Sequence, residues 1–297
     1  MGDVGHGTVS AVTDTPTARL LLTCPDRTGL VAKVADFVWK LNGNIVHADQ
    51  HTDSEAGVFF QRVEFSLQDV NVGRNELAQR FAQLADECSM EWKLSFSDEV
   101  PRVAIFVSKF GHCLYDLLAR WRAGQLACDI VAVISNWPDH ADTANHFGVP
   151  YHEMPVSAQT RAVQEQAVLR LLSELDVDLV VLARYMQILG EALINAFRSR
   201  IINIHHSFLP AFKGGHPYAQ AYDRGVKLIG ATAHYATEDL DEGPIIAQGV
   251  TAVSHRDSVG DLVLKGRDLE TVVLARAVRA HLAGRVLVYG HKTVVFD

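Results

Sequence analysis

Three runs of this chain, VAIFVS (103–108), DIVAVIS (129–135) and DLVVLA (178–183), consist almost wholly of branched or small apolar residues. Successive side chains of a strand point to opposite faces, so a run of this kind is greasy on both and must be covered on both. Amphipathic stretches of helical period lie between the runs. Together they predict a doubly wound α/β domain, a mostly parallel sheet with helices on each face. IINIH (201–205) reads as the next strand. IGATAHYAT (229–237) and IIAQGVTAV (245–253) alternate more and are separated by a polar loop, which predicts an antiparallel pair added to the sheet. The stretch 258–283 reads as a helix, with Leu262, Leu269, Val273 and Val278 among its apolar positions.

A different pattern comes first. With 297 residues, the chain has room for about two domains. ARLLLTC (18–24) is a strand, and PDRTGLVAKVADFVWKLNGN (25–44) a helix with Leu30, Val34, Phe37, Val38 and Leu41 on one face. The strands IVHADQHTD and VFFQRVEFSL follow, joined by SEAG, then a helix over Arg74–Cys88 and the strand MEWKLSF. The order βαββαβ predicts a ferredoxin-like domain over 17–97. The polar SDEVPR (97–102) is a linker, and the second domain runs over 101–297. Residues 1–16, rich in Gly, Thr and Asp, read as a disordered tail without the pattern of a signal peptide.

Charge and cysteine usage exclude several functions. A net charge of -8 disfavours nonspecific nucleic-acid binding. No apolar run approaches the ~18 residues of a membrane span. Cys24, Cys88, Cys113 and Cys128 are scattered, which fits reduced, buried thiols in a cytoplasmic protein.

Chemistry concentrates where IINIH ends. Ligands of parallel α/β sheets gather beyond the carboxyl ends of the strands. With a period of two, Asn203 and His205 share a face and His206 points away, as a supporting or structural group. An amide and an imidazole side by side suit a carbonyl oxygen that is gaining negative charge. Downstream, HYATEDLDEGPII crowds Asp239, Asp241 and Glu242 into a loop closed by Gly243-Pro244. A carboxylate meeting His205 would orient the ring and could move protons for attacking water. His234 is a catalytic or a structural residue, and Asp239 alone reads as a solvated or capping acid. The chain has 14 histidines but no His-x-x-Glu-His spacing, and adjacent histidines on a strand point apart, so no metal site is expected.

NIHHSFLPAFKGG followed by HYATEDLDEGPII resembles the folate-dependent formyltransferase fold, over about Pro101 to Asp297. The resemblance implies a catalytic trio of Asn203, His205 and Asp241. It also implies folate contacts from Arg184, Tyr185, Met186, Gln187, Ile188 and Leu189, and from the loop Thr237, Glu238, Asp239 with His234 behind it. Arg184 and Lys213 are candidate cations for the glutamate tail, and Gly214 and Gly215 would let the backbone approach the substrate. The loop after the first strand of this domain, SKFGHCLYDLLARW, has Gly111 as its only glycine, a poor cradle for a phosphate-bearing second substrate. TCPDRTGLVAKVADFVWKLNGNI resembles an ACT domain, a small-ligand-sensing module. ACT followed by this fold is similar to the formyltetrahydrofolate deformylase family. That likeness implies hydrolysis of 10-formyltetrahydrofolate with no metal or redox cofactor, and a homo-oligomer. It also implies an amino-acid effector, glycine or methionine, at the turn holding Asp26, Thr28 and Gly29. Formyl transfer to an amine, or sensing without turnover, are the competing readings.

Overall fold

The structure, a computed structural model, describes residues 15–157, 159–210 and 217–297. The expected tail falls largely on residues 1–14, which lie outside the described residues, as do Lys213, Gly214, Gly215 and His216. The chain divides into two units between Glu99 and Val100.

The first unit runs β1 (Thr17–Pro25), α1 (Leu30–Lys40), β2 (Asn44–Asp53), β3 (Val58–Ser66), α2 (Arg74–Cys88) and β4 (Glu91–Phe96). Its sheet has the order β2-β3-β1-β4, antiparallel throughout, which is the ferredoxin-like arrangement. The apolar stripes of the two helices supply the core: Leu30, Val34 and Val38 from α1, Leu77, Phe81 and Ala85 from α2. These pack on Leu20, Leu22, Val63 and Phe65 of the sheet. Burial of each such side chain contributes about 1.5–3 kcal/mol. Asp26 does not cap α1. The N-cap is Gly29, at φ 89, with no side-chain cap, and a glycine takes that left-handed turn without steric cost.

In the second unit the three apolar runs become β5 (Arg102–Val107), β6 (Asp129–Ser135) and β8 (Leu179–Leu182). A short β7 (Tyr151–Glu153) joins one edge, and β9 (Ile201–His205), β10 (Leu228–Tyr235) and β11 (Ile245–Ala252) complete the other side. The order is β11-β10-β9-β8-β5-β6-β7. β5 to β9 are parallel, and β10 and β11 are antiparallel as their alternation predicts. The helices are α3 (His112–Arg122), α4 (Ala141–Phe147), α5 (Arg161–Glu174), α6 (Glu191–Ala196), α7 (Pro217–Asp223) and the long α8 (Val259–Leu282). Apolar clusters on the two faces of the sheet hold the layers together. The chain ends in an unforeseen hairpin, β12 (Val286–Tyr289) with β13 (Lys292–Val295).

Strand order reverses beside β5: the chain moves outward through β6 and β7, then returns to β8 on the other side. Such a switch point opens a crevice at the carboxyl ends of the strands. Among the described residues no helix is long and apolar enough to cross a membrane.

Candidate active site

A cavity of about 710 Å³ opens at that end of the sheet, large enough for a cofactor-sized ligand. Asn203 and His205 enter it from the end of β9, and Asp241 from the loop between β10 and β11. His205 Nδ1 lies 3.2 Å from Asp241 Oδ2. The other ring nitrogen, Nε2, is buried and has no hydrogen-bond partner among the described residues. A carboxylate on one nitrogen fixes the ring and leaves Nε2 available to a ligand.

Register explains the amide's partner. Antiparallel pairing of β9 and β10 sets His234 opposite Asn203. Asn203 Nδ2 is 3.2 Å from His234 Nε2, and His234 Nδ1 is 2.9 Å from the carbonyl of Tyr235. A carbonyl only accepts, so Nδ1 carries the proton, and Nε2 of the neutral ring accepts from the amide. His234 therefore orients Asn203, while Asp241 Oδ1 stands 3.7 Å from His234 Nε2.

Asp241 adopts a left-handed backbone, φ 57, uncommon for a residue with a Cβ. The loop is tied down around it: Thr237 Oγ1 donates to the carbonyl of Asp239, and the Tyr235 N–H donates to the carbonyl of Pro244. Burial works to raise the Asp241 pKa, but the hydrogen bond and charge of the His205 ring more than reverse this and hold it well below the usual carboxylate range.

Of the other expected residues, Arg184, Tyr185, Met186, Gln187, Ile188, Leu189, Thr237 and Glu238 all line the cavity. Met186, Ile188 and Leu240 are 56%, 61% and 63% exposed, a patch of apolar side chains suited to a flat aromatic ring. The Tyr185 ring packs edge-on against Phe106, and its hydroxyl meets Gln164. Asp239 is exposed and does not line the cavity. Glu238 accepts a hydrogen bond from Asn195 on α6. Arg184, its side chain largely covered, pairs with Glu270, a poor position for gripping a solvated glutamate tail.

His206 corrects the alternation argument. It lines the same cavity as His205, with ring centres 5.0 Å apart, because β9 ends at His205 and the period of two ends with it. Burial, then the charges of Arg184 and His205, push the His206 pKa down to about 4. Between about pH 6.5 and 4 the unfolded chain therefore binds more protons at this ring than the folded one, and stability falls as pH falls. Melting curves across that window should be flatter for His206→Asn than for the parent. Equal slopes would remove the assigned cause.

The sequence reading missed His112, Arg267 and Glu270, which also line the cavity. Glu270 is 1% exposed. Its Oε2 accepts from His112 Nε2 and its Oε1 from the Tyr218 hydroxyl, each at 2.7 Å. Burial raises its pKa, but His112, Arg184 and Tyr218 lower it further. Two signals existed. Gly266, Glu270 and Val273 recur at helical spacing on the buried side of α8, which puts an acid on an apolar face. His112 opens the helix after the first parallel strand, on the ligand side of the sheet. His112, Cys113 and Glu270 also have the spacing of a metal trio. The donor set suits one poorly: burial, then Glu270, push the Cys113 thiol well up, and the carboxylate already meets Arg184.

The sheet with its antiparallel extension, and an amide, an imidazole and an acid at its rim, define a formyltransferase-type domain. Residues 101–278 match the family model described as formyl transferase. A formyltetrahydrofolate deformylase of Synechocystis sp. is 55% identical over 94% of this chain and 98% of its own length. The crystal structure of a formyltetrahydrofolate deformylase from Pseudomonas syringae pv. tomato superposes with a TM-score of 0.94 at 47% identity, covering 97% of this chain and 96% of that one. A glycinamide ribonucleotide transformylase from Symbiobacterium toebii gives a TM-score of 0.65 at 33% identity, covering 69% of this chain and 98% of that one. The chain belongs to the formyltetrahydrofolate deformylase family.

Proposed function

We infer that this protein hydrolyses 10-formyltetrahydrofolate to tetrahydrofolate and formate. One observation supports this most: a buried imidazole, pinned by Asp241 on Nδ1, has an Nε2 without a partner among the described residues, in a folate-sized cavity beside an oriented amide. In this reading the formyl oxygen sits between His205 Nε2 and Asn203 Nδ2. Both donate to it as water attacks and the oxygen gains charge. Asp241, held low, does not take a proton beforehand. It accepts one only as the water becomes acidic on bonding to carbon, and passes it to N10 as the C–N10 bond breaks. Formic acid then loses its proton to solvent. The scheme calls on no metal or redox cofactor. Met186, Ile188, Leu189 and Leu240 would hold the pterin.

Incubating the purified protein with 10-formyltetrahydrofolate alone tests this. Formate and tetrahydrofolate should appear in equal amounts, at a rate that added primary amines leave unchanged. Formylated amine outpacing formate would make the protein a transferase. Folate binding without turnover would make it a sensor.

The first unit is read as an ACT-type effector module, with glycine or methionine binding at the exposed turn Asp26–Gly29 and modules pairing in a homo-oligomer. Helix α1 starts there with no side-chain cap, which leaves N–H groups for a carboxylate. Calorimetric titration with each amino acid, showing no heat, would leave the unit as a pairing module only. All four cysteines are free and buried, in keeping with the cytoplasm.

A further inference from the structure

The cavity has a second polar end that the hydrolytic scheme does not use, built from His112, Arg184, Tyr218, Arg267 and Glu270. Both oxygens of Glu270 are engaged, Oε2 by His112 and Oε1 by Tyr218. Arg184 lies a step further out, with Nε 3.5 Å from Oε2. Its side chain is only 10% exposed, and Nε is buried with no hydrogen-bond partner among the described residues. Its guanidinium stands 5.8 Å from the centre of the Phe110 ring, and that of Arg267 stands 5.3 Å from the same ring. Two guanidiniums against one carboxylate leave this end net positive, even with His112 neutral. A largely covered cation with an unused buried donor is costly unless an anion meets it.

The opposite end carries the carboxylate of Asp241. Hydrolysis generates one small anion, formate, from the carbon polarised by His205, and Asp241 repels it. His206 connects the two ends, with its ring centre 5.0 Å from that of His205 and 6.2 Å from that of Tyr218. We propose that Arg184, assisted by Arg267, forms a receiving subsite for the formate product. The planar fork of a guanidinium matches a carboxylate. Glu270 offsets part of the positive charge, so formate is drawn from the reacting centre yet leaves readily.

This rests on the hydrolytic reading, and the experiment separates the two. Carbon-13 formate is titrated into the full-length protein and followed by NMR line broadening, with acetate and inorganic phosphate as competitors. Melting curves verify that each variant is folded, and formate release from 10-formyltetrahydrofolate is measured on the same wild-type sample. Formate should bind wild type, and Arg184→Gln should weaken it at least about tenfold, the loss of a charge-assisted contact. Arg267→Gln should weaken it less, and carries the test should Arg184→Gln not fold. Unchanged binding in the folded variants would overturn the subsite while leaving the hydrolase reading intact. Phosphate displacing formate at lower concentration would reassign the site to a phosphate-bearing second substrate. Formate binding at Arg184 with none released from substrate would remove the hydrolase reading, and the product assignment with it.

Discussion

His205→Ala is expected to lower formate release by about 10²–10³-fold, the usual effect of removing one donor to an oxyanion. A carboxylate holds the ring from behind, and its Nε2 is buried without a hydrogen-bond partner among the described residues. Asn203→Ala should fall in the same range, because the His234 contact at 3.2 Å already fixes where that amide points. Asp241→Asn should cost at least as much, since an amide neither orients an imidazolium nor carries a proton. The measurement is steady-state formate release, with melting curves to show that each variant is folded. Near-parental turnover in folded His205→Ala would sink the assignment. There is a linked effect on stability. The Asp241 pKa is depressed from its ordinary 3.8, so its ionic contacts stabilise the fold above that value and are lost as pH falls below it. His205→Ala removes part of that contribution.

Gly243→Ala is expected to be the most damaging substitution outside the trio. A Cβ there would stand 1.8 Å from the carbonyl oxygen of Tyr235 and 2.9 Å from its carbon. That carbonyl belongs to β10 and accepts from His234 Nδ1, so it cannot withdraw without pulling on the group that orients Asn203. The loop must move instead, and Asp241 lies two residues upstream. A displacement of about 1 Å at a reacting group can cost about 10²-fold in rate. Overpacking should also remove about 1–3 kcal/mol of stability, or about 2–4 °C of melting temperature for each kcal/mol in a unit of this size. Gly260→Ala is the matched control. Its Cβ would meet only Ser258 Oγ at 3.5 Å, an ordinary contact, inside α8 where alanine is favoured. It should melt no lower than the parent and turn over normally. Parental activity in Gly243→Ala would show that the turn does not set the position of Asp241.

Some of the site could be read from the chain because its parts are local. Asn203 and His205 share one face of a five-residue strand, and Asp241 sits against a Gly-Pro turn a short loop beyond the next strand. The strands themselves were legible for the same reason: branched apolar runs, or alternation, record which faces will be covered. The parallel order with its antiparallel extension followed from that contrast.

Other parts depend on where distant elements meet. His112 and Glu270 are 158 positions apart, and Tyr218 is 52 from Glu270, yet both partners close on the Glu270 carboxylate. No local pattern encodes that distance. The sequence shows an acid on an apolar helical face, but only packing of α8 against α3 and α7 supplies its His112 and Tyr218 partners. His206 makes the same point on a smaller scale. Alternation turns it away from His205, but the strand stops first and the chain bends it back into the cavity. The sequence by itself determined the elements, the order of covered and open faces, and the short-range trio, because these follow from periodicity and turn chemistry. Tertiary structure alone decided which buried charges face one another and which cavity they share, because desolvation and ion pairing are properties of assembled surfaces.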